Sequence, residues 1–481
     1  MKEIKLYNLL NSFSRKELNE LEDFVNSRIF NKNKSLIKLH EYISKNYKKF
    51  INDTYSKHEI FNYIFKNEKF SETKYWKLIS SFALVIDKYL MFKEYSVDHY
   101  YQKNHLLEAY RRRNIKKQYS YLSKEIKKNY NNEFNKGLNF FLNQTHFHFQ
   151  NISYLGSGES NIMRDDIESM FENLRMFFIM TNITGISIIS NFKKDFLKSS
   201  PSELWLLDEI LEYLRKNCTY MKKNYITVYI FYLIIVSKIN FDEEKFYFEA
   251  RKLIMINKNK LSKNLLKHML LNILNYSVIK MVKGDDKFLK EIFLINKVMD
   301  ENSLTFFGEN IEEEYFYSVI EHTTMLQQVL WAKEFLEKYK SCLSEESRES
   351  AINLSAARIH FENKEYDVSL QELLKVENIN PYFYLSHKIL LLQNYFETGE
   401  NDAITPLLET LSKYLKRRID ITDELKDNYI KFLFYFRKLK TVSTTKVYLA
   451  NNLLKELQKE KFFLQKKWIL NKAGQLKQLK K

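Results

Sequence analysis

Glycine and proline are nearly absent from this chain: 8 and 3 of them in 481 residues. A sheet protein of that length reverses direction many times, and its turns draw on these two residues. Helices joined by short polar connections need far fewer, so the scarcity points to an all-α chain. The apolar fraction of 45%, with 33 Tyr and 37 Phe, gives such helices ample surface to bury and excludes disorder for want of hydrophobicity. The length suits two or three domains, or one solenoid that grows by stacking small units.

Cys218 and Cys342 are too few for a disulfide framework or a cysteine-based zinc site, and they read as buried small hydrophobes. Residues 1–18 hold neither an apolar signal core nor a small-residue cleavage site. The longest apolar stretch, 225–236, is well short of the roughly 20 residues a membrane-spanning helix requires. The expectation is a cytoplasmic protein without membrane contact, in which 225–236 is a helix buried on all sides.

Several helix starts are legible. Ser14 stands three residues before Glu17, and Ser56 three before Glu59, as in a capping box. Behind Ser71, the spacing of Tyr75, Ile79, Phe82, Ile86 and Leu90 predicts a core-facing helix of five turns. From Ile115 the stripe Ile115, Tyr119, Leu122, Ile126, Tyr130 predicts an amphipathic helix, with Arg113, Lys117, Lys124 and Lys128 on its opposite side. With Arg111, Arg112, Lys116 and Lys127 it is the densest basic stretch of the first half. Such a stretch is a solvated face or a phosphate-binding face.

The only glycine-rich break, residues 155–161, marks the main boundary: an N-terminal helical domain over 1–153 and a second region over 160–481. Asn161 is the expected cap of the next helix, with Asp165 and Asp166 in its first turn, where the helix dipole favours acids. From residue 260 the units look alike, each a long helix, a short polar break and a second helix: 263–282 with 287–299, 312–325 with 327–339, 347–361 with 366–376, and 385–396 with 402–415. The small residues early in the second helices, Ala332, Ser369 and Ala403, are spaced 37 and 34, the tetratricopeptide period. Tyr366, three before Ser369, and Pro381 fit that repeat; Asn353, Ala356 and Ala357 depart from it, so the units read as tetratricopeptide-like. Residues 445–470, with Val447, Ala450, Leu454, Leu457, Leu464 and Trp468 in heptad register, read as a helix capping the last repeat.

The net charge of +17 is unevenly placed: +16 over 1–300, −12 over 301–412 and +13 over 413–481. In a stacked array the acidic and basic segments are near neighbours, and attraction between them is expected, collective and screened by salt.

Local signatures carry a resemblance: residues 13–18 (Phe-Ser-Arg-Lys-Glu-Leu), 27–33 (Ser-Arg-Ile-Phe-Asn-Lys-Asn), 56–61, 356–361 with Tyr366, and 395–400. Over most of its length the chain resembles an uncharacterised bacterial all-helical protein family with tetratricopeptide-like repeats in the C-terminal part. The resemblance implies helical-repeat architecture; it implies no activity and no functional residues.

Motifs for chemistry are missing. His146 and His148 lie about 200° apart on a helix, unlike an i,i+4 metal pair. Gly156 and Gly158 have Asn161 where a dinucleotide fingerprint needs a third glycine, and neither a P-loop nor a G-x-S-x-G elbow occurs. The reading is a non-catalytic protein–protein interaction scaffold or adaptor, without cofactor or metal, that binds a protein or peptide in the groove of a helical-repeat array. The alternative is a nucleic-acid-binding protein whose contacts to nucleic acid or another acidic partner are Arg111, Arg112, Arg113, Lys117, Lys124 and Lys128, with Arg417, Arg418, Lys466 and Lys467 in the basic C-terminal segment.

Overall fold

A computed structural model describes residues 2–51, 55–155, 160–192, 206–306, 308, 310–377, 381–418, 423–444, 449–460 and 463–478. The chain is all-α, with no β-strand among the described residues. No described helix is long and apolar enough to cross a membrane. It divides into two compact units, Met1–Glu133 with Asn139–Arg175, and Phe134–Leu138 with Met176–Lys481. The glycine break at 156–159 lies outside the described residues.

In the first unit α1 (Lys2–Asn11), α2 (Arg15–Asn26), α3 (Lys34–Lys45), α4 (Tyr47–Ile51) and α5 (Lys57–Ile64) surround α6 (Glu72–Val97). The 26 residues of α6 make it about 39 Å long. Its Tyr75, Ile79, Phe82 and Ile86 are buried against Leu21, Leu39, Ile60 and Phe61. Ser14 and Glu17 form the full capping box at the start of α2, while Ser56 and Ser71 cap α5 and α6 through their hydroxyls. Then follow α7 (His99–Arg112), α8 (Lys116–Asn131), α9 (Leu138–Leu155) and α10 (Ser160–Phe192), the unit boundary falling inside α10. Because α10 starts at Ser160, Asn161 sits inside its first turn and is not its cap, and Asp165 and Asp166 fall one turn further in.

The second unit begins with α11 (Leu207–Lys216) and α12 (Cys218–Asn224). Helices then come in antiparallel pairs: α13 (Ile226–Ile239) with α14 (Lys245–Asn257), α15 (Lys263–Val282) with α16 (Lys287–Glu301), α17 (Glu313–Met325) with α18 (Val329–Tyr339), α19 (Arg348–Glu362) with α20 (Tyr366–Leu374), and α21 (Pro381–Thr398) with α22 (Asn401–Arg417). Behind them come α23 (Asp423–Thr444), α24 (Ala450–Lys459) and α25 (Lys466–Gln478). Helices also pack on the next pair: α13 on α15, α16 on α17, α17 on α19, and both α19 and α20 on α21. The first helices are enclosed. Residues 227–238, 269–282, 315–326, 350–363 and 383–398 are all buried or partly buried, as the unbroken apolar character of 225–236 implies for α13. The second helices keep an outer face in solvent, for example Leu330 on α18 and Leu374 on α20.

Four of these pairs share one turn. A residue with positive φ follows the first helix: Gly284, Gln327, Lys364 and Gly399. The next residue donates its N–H five residues back: Asp285 to Lys280, Gln328 to Thr323, Glu365 to His360 and Glu400 to Tyr395, at 2.9–3.2 Å. This Schellman closure satisfies a helix-end carbonyl and reverses the chain at once.

Two expectations are corrected, on the C-terminal helix and on the cysteines. Residues 445–470 are not one helix, because Glu460 is extended (ψ 136) and separates α24 from α25, which pack on each other. Cys218 is exposed and Cys342 partly so, in place of two buried thiols, since Cys218 stands at the start of α12 and Cys342 at the end of a 3-10 turn, outside the enclosed helices. The basic C-terminal segment meets the acidic one through a single described ion pair, Lys472 with Glu397 at 2.6 Å, where Glu397 also accepts from the Trp468 indole. Lys431 and Lys438 pair within their own segment, with Glu460 and Glu456.

Lys364 occupies the left-handed region at φ 64, where a Cβ costs about 1–2 kcal/mol that glycine avoids. Lys364→Gly is therefore expected to raise the thermal unfolding midpoint, read by far-ultraviolet circular dichroism, by about 1–3 °C. Lys364→Ala is expected to leave it unchanged or lower it. A fall with glycine would show that this turn carries no backbone strain.

Candidate functional site

Helix α8 has two chemically opposite faces. Asn114, at φ 55, turns the chain from α7 into α8, and Ile115 N–H donates back to the Tyr110 carbonyl. Tyr119, Leu122, Ile126 and Tyr130 are then buried. On the other side Lys117, Tyr121, Lys124 and Lys128 lie in solvent within about 60° of arc at 100° per residue. Tyr121 is 74% exposed. Among the described residues none of these three lysines has a carboxylate partner.

Of the other cations of this region Lys116 is exposed, while Arg111, Arg112 and Lys127 are engaged. Arg111 Nε donates to Gln150 Oε1 at 2.9 Å, and Arg112 pairs with Glu108. Arg113 is exposed and reaches only the Ala109 carbonyl, at 3.3 Å. Glu125, the one acid on α8, is taken by Lys103 at 2.7 Å. Lys127 turns inward to Asp166 at 3.2 Å.

Asp166 is a node that no sequence motif signals. It is 1% exposed, and its Oδ1 accepts from His148 Nδ1 at 2.7 Å and Asn151 Nδ2 at 3.3 Å as well as from Lys127. Asn151 Oδ1 in turn accepts from the hydroxyls of Tyr119 (3.0 Å) and Ser123 (3.2 Å). The Tyr119 ring stacks on Tyr154 with centroids 3.8 Å apart. Burial pushes the Asp166 titration up, but the His148 hydrogen bond, the Lys127 charge and the Asn151 amide outweigh it and hold the carboxyl below its ordinary value. The cluster locks α8, α9 and α10 together. It is not laid out as a catalytic triad, since the Ser123 hydroxyl donates to Asn151 and not to the imidazole. His146, two residues from His148, faces Gln150 Nε2 at 3.0 Å, and burial pushes its titration down.

In the second unit the first helices of the pairs carry charge where an apolar core is expected. Arg358 on α19 is 3% exposed, with Glu362 at 2.6 Å and the Thr324 hydroxyl of α17 at 3.4 Å. Tyr317, Glu321 and Thr324 line the facing side of α17 at helical spacing. Burial pushes the Glu321 carboxyl up, Arg358 pulls it down and Glu362 pushes it up again, for a net rise. Burial, then Arg358, bring His322 down to about 4. Glu321 and His322 nevertheless keep part of their surface accessible. Tyr429 of α23 lies within electrostatic reach of Glu321.

The C-terminal basic residues do not gather in the same way. Arg418 lies over the Tyr414 ring at 5.4 Å, and Lys466 Nζ donates to the Glu460 carbonyl at 2.6 Å. Arg417, at the end of α22, and Lys467, at the start of α25, are exposed. A shallow cavity of about 410 Å³ is lined by Cys218, Thr219, Lys222, Lys223 and Tyr229. Lys222 there pairs with Glu249. Among the described residues no group of three or more His, Cys, Asp or Glu side chains is placed to hold a metal ion.

No family model matches the chain, and neither a curated protein nor a solved structure does. Function is therefore argued from geometry.

Asp166→Asn removes the charge facing Lys127 and the acceptor for His148, and is expected to cost about 2–4 kcal/mol at pH 7. The folded carboxyl titrates below its ordinary value of 3.8, so its stabilisation is complete above that pH and is lost as pH falls through the lower folded value. Thermal unfolding of both proteins from pH 7 to pH 3 checks this: the gap between them should close on the acid side. A gap that persists unchanged at pH 3 would assign the effect to shape, not charge.

Proposed function

We propose that the chain is a non-catalytic binding scaffold, in which the helix pairs of the second unit form a tetratricopeptide-like α-solenoid whose first helices line a recess that holds an extended segment of a partner protein. The observation that carries this reading is the shared turn, with left-handed residues at Gly284, Gln327, Lys364 and Gly399 and one closing hydrogen bond in all four pairs. A single pair cannot bury its own apolar face, so pairs joined by one turn geometry stack.

Two further features support it. Ala332 and Ser369 are buried early in α18 and α20, and the Ser369 hydroxyl donates to the Ala357 carbonyl of α19 at 2.8 Å, which is the close helix crossing a small residue permits. The polar row of Tyr317, Glu321, His322, Arg358 and Glu362 gives the recess hydrogen-bonding groups that an inner layer built only for stability would lack. The resemblance to a bacterial all-helical family with such repeats points the same way.

A photo-crosslinking amino acid placed at Glu321, inside the recess, and at Leu330 or Leu374, on the outer helices, tests the reading in cells producing the full chain. A discrete protein adduct from position 321, and none from positions 330 and 374, is the expected outcome. Adducts only from the outer positions, or from none, would remove the recess as a binding surface.

A further inference from the structure

We propose that the outer face of α8 binds single-stranded nucleic acid, with Lys117, Lys124 and Lys128 on the phosphates and Tyr121 stacked on a base. This inference rests on the first unit alone and stands or falls independently of the scaffold reading.

The face is a surface free of competing structural roles. Lys117, Lys124 and Lys128 are exposed, make no ion pair among the described residues, and span about 16 Å along one line of the helix. The helix's other cations show what commitment looks like: Lys127 is held by Asp166, and the acid at Glu125 is neutralised by Lys103 on the flank. Arg113 and Lys116, both exposed, extend the positive potential to the start of the helix.

Tyr121 decides which polyanion fits. It lies four residues after Lys117 and three before Lys124, so both cations flank it on the same face. At 74% exposure its ring makes no stacking contact and its hydroxyl no hydrogen bond among the described residues. The exposed rings of Tyr95 and Tyr101 are by contrast used by the fold, packing on each other and on His105. An aromatic platform between phosphate-binding cations matches a chain that alternates charge with π surfaces, which is an unpaired polynucleotide. An acidic peptide carries no ring at each charged unit, as a polynucleotide does. An anionic bilayer would require an apolar face to insert, and the apolar face of α8 is buried in the core through Tyr119, Leu122, Ile126 and Tyr130. A duplex keeps its bases stacked and leaves Tyr121 nothing to pair with.

Fluorescence anisotropy with the purified full chain tests this, using labelled mixed-sequence DNA and RNA single strands of about 20 nucleotides, the matching duplex, and polyglutamate as competitor. The wild-type chain is expected to hold the single strands with Kd below about 10 μM near physiological salt. Lys117→Gln/Lys124→Gln/Lys128→Gln should flatten the slope of log K against log salt by about 2, from roughly 0.7 per phosphate contact. Tyr121→Ala should weaken single-strand binding about 5- to 150-fold and leave the slope unchanged. All four substitutions lie opposite the core, and unchanged circular dichroism verifies the fold. No binding up to about 10 μM overturns the proposal, as does a triple variant that binds like the wild type. Equal retention of duplex or polyglutamate with no effect of Tyr121→Ala overturns it too, by showing a general polyanion surface. Loss of binding in Arg417→Gln/Lys467→Gln and not in the α8 variants would move the contact elsewhere and likewise sink it.

Discussion

The hydrogen bond that reaches five residues back at the end of a helix sets the architecture of the second unit. It can form only if the residue between donor and helix adopts positive φ, and in all four pairs the next helix starts within two residues of the donor. The second helix must then return along the first. Gly284, Gln327, Lys364 and Gly399 all satisfy this condition, although only two of them are glycine. The same closure joins α7 to α8 through Asn114, so it also fixes which side of α8 meets the core. Where the chain turns decides which faces are left to bind anything.

Enclosure of the first helices follows from that pairing, and it changes the chemistry of every polar group they carry. An arginine on a solvated face titrates as in water and binds little. Arg358, walled in by α17 and α19, must be matched, and Glu362 and Thr324 match it. Glu321 has no such direct partner among the described residues; its carboxyl is driven toward the neutral form by burial while Arg358 opposes it. Replacing this row by apolar side chains would avoid its desolvation cost. The row belongs to a layer that also buries Asn272, Ser277, Lys280, Gln393 and Asn394.

Much of the helical framework was legible because its signals are local. Ser14 with Glu17, the stripe from Tyr75 to Ile86 and the apolar run in α13 each announce themselves within one or two turns. The pairs from Lys263 onward could be bounded to within a few residues for the same reason. What stayed hidden depends on residues distant in sequence or on backbone states without a residue signature. Gln327 and Lys364 give no hint of left-handed conformation, since glycine is the residue that advertises it. Asp166 looked like a helix-dipole acid until the start of α10 at Ser160 moved it inward, onto His148, Lys127 and Asn151. The heptad pattern over 445–470 suggested one helix, but extended Glu460 divides it, and its leucines pack between α24 and α25 instead.

The basic stretch shows why a count of charges is a poor guide to a site. Eight cations fall between Arg111 and Lys128, and composition treats them as equal. Folding divides them: Arg111 and Lys127 are spent on Gln150 and Asp166, where they join helices, and Arg112 on Glu108 of its own helix. A cation already paired contributes little to an incoming phosphate, because the gain must first replace the existing partner. The potential available to a ligand therefore comes from the residues the fold leaves unpaired, and on α8 these are collinear because the hydrophobic stripe on the other side has a helical period. The stripe that buries Tyr119, Leu122, Ile126 and Tyr130 is thus the physical cause of the row of Lys117, Lys124 and Lys128 opposite it. Core packing and ligand charge are two readings of one periodicity, and Tyr121 is the residue on that row that packing alone does not account for.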